Sequence, residues 1–420
     1  NILVSAIDHS SAILLRTLEY QSTPLYLSTC DSSSSTPSLH RVCTLVTQCS
    51  VDRLEKLENQ ARAWGGVLSV AIYISTASVK ETESTLLAVR DLVEQLRDDS
   101  SYKGELLVSV LYGHENAPWK WDCAGSDNAT GPLYPINALR NLAVSVTKSA
   151  LLFLVDVDFL PSAGLEQWVE SASSILGSDS SDRNLLERCS KGELIVIPAF
   201  ERGCDESVLP KSALNQLSVA AISTGLDEGS ITPFHVQHFP AGHSPTDYER
   251  WKRTPVDYTT YEVAYGEYYE PYVIISKDVF VPYDERFRGY GMNKCVHLRA
   301  LSERGSTFHV LPGHYVIAES HAKSESHQRT YGCESGYRKH LVAAAYRVAL
   351  RDMLDDITPA ISATTAKLLQ QVGDVRHKKS NKKMMHNMKK ELKSAVVQMI
   401  YRSKDLVLGT STLTEETCAV

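Results

Sequence analysis

From Arg41 to Leu111 the chain alternates between strand-like and helix-like segments, and this alternation limits the folds open to it more than any other feature. Val42 to Thr47, Val67 to Ile74 and Glu105 to Leu111 are mostly apolar runs of strand length containing several β-branched residues. Between the first two, Val51 to Trp64 carries Val51, Leu54, Leu57 and Ala61 at helical spacing, and Gly65-Gly66 stops it. Glu81 to Asp98 is a second helix, with Leu86, Leu87, Val89, Leu92, Val93 and Leu96. This order predicts βαβ units and a mostly parallel sheet. A third helix starts at Pro135, a residue suited to a first turn, and runs its apolar stripe through Ile136, Leu139, Ala143 and Val146. Arg140 and Asn141 lie off that stripe. Leu194 to Ile197, Tyr272 to Ile275 and Phe308 to Leu311 are further strand candidates.

The third helix leads into Leu151-Leu152-Phe153-Leu154-Val155-Asp156-Val157-Asp158-Phe159. Alternate side chains of an extended chain point the same way, so Asp156 and Asp158 can converge at the tip of a buried strand. Two hard oxygen ligands suit Mg²⁺ or Mn²⁺, ions that usually carry a phosphate partner. Ligands of α/β folds collect at the carboxyl ends of strands, where this pair stands. Such a triplet also serves as a helix cap or a turn.

Composition narrows the function classes. The chain has 420 residues, a formal net charge of −7, 43% hydrophobic and 22% charged residues, which describes a globular protein rather than a general nucleic-acid binder. No stretch approaches the ~18–20 apolar residues of a membrane span. The first residue is Asn1, which leaves room for an upstream leader or anchor. The nine cysteines include no CxxC pair, so a zinc ribbon is not expected, and one or two disulfides fit a secretory lumen. Asn128-Ala129-Thr130 is a glycosylation sequon in a polar stretch. Residues 1–40 are Ser/Thr-rich and read as a leader or stem-like extension. From about residue 331 the character changes to helical segments, and residues 376–393 hold eight Lys/Arg against one Glu, a solvated basic helix or tail. The expected organisation is therefore an extension over 1–40, a catalytic domain over 41–330 and a helical, partly basic extension over 331–420.

Further motifs give the span from about 41 to 325 a family likeness. Tyr134-Pro135-Ile136-Asn137 with Leu139-Arg140-Asn141 is similar to YPxNxLRN, Asp156 to Pro161 to DxDFLP, and Ile197 to Glu201 to VPAFE. Gly242 to Thr246 is similar to GHAPT, and Glu270-Pro271-Tyr272-Val273 is identical to EPYV. Tyr283-Asp284, Arg286-Phe287, Gly289-Tyr290-Gly291 and Asn293-Lys294 follow YDxRFxGFGWNK. In content and order these resemble the glycosyltransferase family of LARGE-type C-terminal domains and the β-1,4-glucuronyltransferase of dystroglycan glycosylation.

The resemblance implies a GT-A fold, an α/β nucleotide-diphospho-sugar transferase domain with a mixed central sheet. It implies an inverting transfer from a UDP-sugar to a hydroxyl of a glycan or glycoprotein acceptor, with Mn²⁺ or Mg²⁺, in the Golgi or another secretory lumen behind a type II anchor. A homo-oligomer is compatible with it, and no nucleic-acid partner is expected. Asp158, Asp156 and His321 are the expected metal ligands. Thr47 and Gln48 are expected at the uridine, and Arg140 and Asn141 on the nucleotide–metal side. Glu270 is the first candidate for the base and Asp284 the second. His243, Gly291, Asn293 and Lys294 are expected near donor or acceptor, with Gly289 allowing close backbone approach. Each has a plainer reading: His243 as a loop-shaping residue, Asp284 as a turn residue paired with Arg286, Glu270 as a partner of Arg140 or Lys294.

Three departures bear on the donor. The family's Trp is Met292, its Lys before the GHAPT motif is Ala241, and Glu319 precedes His321 in place of an apolar residue. They leave UDP-glucuronate, UDP-N-acetylglucosamine or another UDP-hexose open. A catalytically idle glycan-binding or scaffolding homologue is the rival outside the enzyme class. A phosphotransferase is disfavoured by the lack of a GxxxxGK[ST] loop.

Overall fold

The structure, a computed structural model, describes residues 25–28, 41–74, 79–113, 134–174, 184–202, 211–256, 259–318, 342–343 and 345–353. Among these, nine strands form one sheet, built outward from β2 (Cys43–Ser50), β3 (Val67–Ile74) and β4 (Glu105–Tyr112). These three are parallel, and β3 is buried along its whole length, as a central strand covered on both faces must be. The helices Leu54–Trp64 and Val79–Asp98 make the crossovers. Gly65 ends the first of them in a left-handed conformation, φ 69°, where a residue without Cβ carries no steric cost.

β5 (Leu151–Leu154) adds in parallel on the other side of β2. β11 (Tyr272–Ser276) then runs antiparallel between β5 and β7 (Glu193–Ile197), and β12 (Thr307–Val310) returns parallel to β7. β10 (Tyr261–Val263) and β1 (Leu25–Ser28) close the two edges in antiparallel pairing. The sheet is therefore mixed, as expected of the GT-A class. β1 lies in the Ser/Thr-rich segment from which sequence analysis predicts no strand.

A second sheet of four strands decides where the site sits. It is ordered β6 (Phe159–Pro161), β13 (Val316–Ala318), β8 (Ala199–Arg202) and β9 (Ile231–Pro233). β5, β7 and β12 each pass at their C-terminal ends into a strand of this small sheet, β6, β8 and β13. Asp156 and Asp158 occupy the step between β5 and β6. The alternation of the strand continues through that step: Leu151, Phe153, Val155 and Val157 enter the apolar layer on one face, Leu152 and Leu154 the layer on the other.

Residues 345–353 are helical and pack on the site-bearing loops. Tyr346, Ala349 and Leu350 join Phe239, Tyr268, Phe287, Cys295 and Val296 in a small core of their own. Two polar ties fix this helix: Tyr346 donates to Glu267 (2.7 Å), whose other oxygen accepts from Arg299 (2.7 Å), and Arg286 pairs with Asp352. Leu350 is 8% exposed, so Leu350→Ala is expected to cost about 2–3 kcal/mol, read as a lower urea midpoint at unchanged slope. Cys43, Cys49, Cys189 and Cys295 are buried thiols. The other five cysteines, the sequon and the basic segment 376–393 lie outside the described residues.

Candidate active site

Asp156 is the centre of a buried ionic network at the end of β5. Its Oδ1 accepts from Arg140 Nη2 at 2.8 Å, and its Oδ2 from the Tyr272 hydroxyl at 3.0 Å and Lys294 Nζ at 3.1 Å. The elements explain the convergence. Arg140 rises from the helix Ile136–Ser145, Tyr272 opens β11, and Lys294 stands in the first turn of the helix Asn293–Glu303. Arg140 also donates to the side chains of Asn293 (2.7 Å) and Asn137 (3.1 Å), so a guanidinium with 8% exposed side chain is well satisfied. Burial alone would raise the Asp156 carboxyl pKa, but Lys294 and Arg140 outweigh it and hold the group below its ordinary range. Lys294 lies over the Tyr272 ring, 4.2 Å from its centre.

Asp158 meets different partners. Its Oδ1 accepts from Arg53 Nη1 and Lys56 Nζ, each at 2.8 Å, from the turn after β2 and the helix that follows. Gln60, one turn further along that helix, donates to the carbonyls of Asp156 (2.9 Å) and Phe159 (2.7 Å) and fixes the step itself. Among the described residues no group of three or more His, Cys, Asp and Glu forms a ready metal cage. His321 lies outside the described residues.

Glu270 stands beside the network. Its backbone N–H donates to the Gly242 carbonyl (2.9 Å), and the Cys295 thiol donates to Glu270 Oε2 (3.4 Å). Burial raises its carboxyl pKa, and Lys294 and the thiol offset this only in part. Gly242 makes the approach: a Cβ there would lie 2.7 Å from the Phe239 ring and 3.4 Å from Glu270 Cγ. His243, next in sequence, is buried, and burial together with Lys294 lowers its pKa well below the usual value, so the imidazole is neutral. Its Nε2 is buried without a partner among the described residues, as is Thr47 Oγ1 on β2. Gln48 accepts from the Tyr134 hydroxyl.

The other expected residues brace the loop between β11 and the helix Asn293–Glu303. Asn141 donates to the Tyr283 carbonyl and to Glu285 and accepts from the Tyr283 N–H. Asp284 is pinned by Arg286, whose Nε and Nη2 lie 2.9 and 2.6 Å from its carboxylate, and by the Arg286 N–H. Gly289 and Gly291 have φ of 71° and 105°, the second leading into Met292 at 56°. Met292 is not a glycine, and its left-handed backbone is a local strain of the kind functional loops carry. Ala241 and Met292 both pack against the small core under the helix of residues 345–353.

With this geometry in view, the chain was compared with known proteins. A family model described as "Glycosyl-transferase for dystroglycan" matches residues 42–347. The chain belongs to this family. It is 34% identical over 289 residues to the mouse xylosyl- and glucuronyltransferase LARGE2, covering 69% of this chain and 35% of that protein. It is 31% identical over 281 residues to human LARGE1, covering 67% and 31%. The chain thus spans about a third of the length of the curated relatives it matches. Among solved structures, S. aureus TarS 1–349 in complex with UDP-GlcNAc is similar at 10% identity with a TM-score of 0.33, covering 73% of this chain and 66% of that one.

In this dystroglycan-type glycosyltransferase domain the motifs meet in space: Arg140, Asp156, Tyr272, Asn293 and Lys294 come from four separate motifs. Arg53, Lys56, Gln60 and Cys295 were not singled out by sequence. A signal for the first three was present, because spacings of three and four place them on one helix face.

Proposed function

We propose that the chain is an inverting glycosyltransferase that moves a sugar from a UDP-sugar to an acceptor hydroxyl, with Glu270 as the base. The observation that carries this is Glu270 standing partly buried, with its pKa raised, beside the Asp156–Arg140–Lys294 network at the ends of β5 and β11. A base of raised pKa is one matched to taking a proton near neutral pH. The acceptor proton passes to the Glu270 carboxylate as the acceptor oxygen bonds to the anomeric carbon. The bond from that carbon to the diphosphate oxygen breaks, and UDP leaves with the electron pair. No covalent sugar–enzyme species is needed. Asp284, already held by Arg286, anchors the loop instead.

Thr47 and Gln48 on β2 supply polar groups for the uridine, and the unpartnered Thr47 Oγ1 favours that role. Asn141 braces the loop carrying Gly289 and Gly291, and the unpartnered His243 Nε2 is assigned to the sugar. Asp158 would hold a divalent ion only in place of the Arg53 and Lys56 contacts that its Oδ1 now makes. His321 would join it. The ion, Mn²⁺ or Mg²⁺, would neutralise charge on the departing diphosphate as a Lewis acid. Asp156, the second expected ligand, would join the ion only by giving up contacts to Arg140, Tyr272 and Lys294, which it otherwise orients. The relatives named above support UDP-glucuronate and UDP-xylose as first donors to try, with UDP-N-acetylglucosamine next. The proposal includes a glycan acceptor and a secretory lumen. No helix among the described residues is long and apolar enough to cross a membrane.

The test is UDP release from a panel of UDP-sugars, with and without a candidate glycan acceptor, in Mn²⁺ and in EDTA. Metal-dependent release with one donor is expected. A folded protein that neither releases nor binds UDP would overturn the reading.

A further inference from the structure

Three consecutive residues open the helix Asn293–Glu303, and each holds a different part of the site. Asn293 accepts from Arg140, Lys294 donates to Asp156, and the Cys295 thiol donates to Glu270 Oε2 at 3.4 Å. The same sulfur lies 3.5 Å from the Tyr268 carbonyl, so one thiol proton has two acceptors. Tyr268 takes a left-handed backbone, φ 66°, and packs with Cys295 and Tyr346 in the small core. Cys295 is 1% exposed, and burial together with the Glu270 carboxylate raises its pKa well above the ordinary value. It stays a neutral S–H, a donor rather than a nucleophile. Other groups reach the Glu270 carboxyl differently. Lys294, Arg140 and Asp156 act on it through charge without a hydrogen bond, the Tyr272 hydroxyl stays protonated, and His243, beside Gly242, is neutral.

We infer that Cys295 is a positioning residue for the base: its thiol holds Glu270 Oε2 and leaves Oε1 to take the acceptor proton. This rests on the reading of Glu270 as the base. A base must stand within hydrogen-bond reach of the proton it takes, and a carboxyl group free to rotate spends part of its time misaligned. The backbone N–H of Glu270 is fixed on Gly242, and the thiol fixes the far end of the side chain. The acceptor proton passes to Oε1, Cys295 keeps its own proton, and no bond to sulfur forms or breaks. Once Glu270 is a neutral acid its Oε2 is the weaker acceptor, and the thiol proton turns to the Tyr268 carbonyl.

The test is turnover of the full chain with the UDP-sugar that gives the fastest UDP release, and infrared spectroscopy of the S–H stretch without ligand. The variants are C295A, C295S, E270Q and E270Q/C295A. C295A is expected to lower kcat about tenfold at unchanged KM, and C295S, which keeps a donor, to recover most of it. In the E270Q background the alanine should cost less than about twofold, since the thiol then has no base to place. The Cys295 S–H band, isolated as the difference between wild type and C295A or C295S, should lie at lower frequency in wild type at alkaline pH than in E270Q. C295S carries the test if the alanine variant does not fold. Unchanged kcat in C295A, an equal loss in both backgrounds or an S–H band that ignores E270Q would each overturn the inference. Wild-type turnover in E270Q would instead remove the base reading beneath it.

Discussion

Asp156→Asn is expected to destabilise the protein by about 3 kcal/mol, and Asp158→Asn by no more than about 1 kcal/mol, although the two residues are neighbours but one. The difference lies in what each charge leaves behind. Asp156 compensates Arg140 and Lys294, whose side chains are only 8% and 12% exposed. Asparagine keeps the shape but leaves two buried cations without a counter-charge, and its amide N–H₂ faces donors rather than acceptors. Arg53 and Lys56 are somewhat more exposed, at 17% and 16%, and Arg53 already has Asp52 as a second partner. Urea unfolding followed by far-UV circular dichroism measures both. Asp158→Asn is also expected to abolish Mn²⁺-dependent UDP-sugar turnover at a nearly normal midpoint. Equal losses of stability in the two variants would show that Asp156 is not the keystone its contacts describe.

Glu270→Gln is expected to lower turnover by about 10²–10⁴-fold while leaving the fold at least as stable at neutral pH. The two halves have one cause. Burial raises the Glu270 pKa above its ordinary value. Between the ordinary and the raised value the folded state binds the proton that the unfolded state has released, so stability falls as pH rises through that interval. Glutamine does not ionise and escapes the penalty. The ionised carboxylate is also the form that accepts a proton, so wild-type turnover should rise with pH through the raised pKa, and the residual rate of Glu270→Gln should lack that limb. A glutamine variant with wild-type turnover would remove Glu270 from the chemistry.

The main parallel sheet was legible because β2, β3 and β4 are long apolar runs separated by whole helices, and their observed bounds differ by a few residues at most from those expected. The small sheet was not. β6, β8, β9 and β13 have only three or four residues each, too short for alternation to mark them as strands, and β8 follows β7 after Pro198 alone. Arg140 lies off the apolar stripe of its helix yet is buried, because its partner is the Asp156 carboxylate and not an apolar surface. Motif order identified Glu270, Asp156, Asn293 and Lys294 as neighbours in function. Only the fold showed that Tyr272 and Lys294 share one carboxylate oxygen, and that Asp284 is taken up by Arg286. The cations on Asp158 carry no motif, only helical spacing, which is also what an ordinary solvated helix face displays.

The antiparallel placement of β11 between β5 and β7 has a consequence for how the chain is made. β5 can pair one edge with β2 once it leaves the ribosome, but the partner for its other edge is more than a hundred residues away in the chain. At usual synthesis rates that edge, ending in the two aspartates, waits on the order of 10 s for β11 to emerge. During this time the nascent domain presents a flat apolar border of Leu151 to Leu154 to any other extended chain, and it is the stretch that a folding helper in the cell would have reason to cover first.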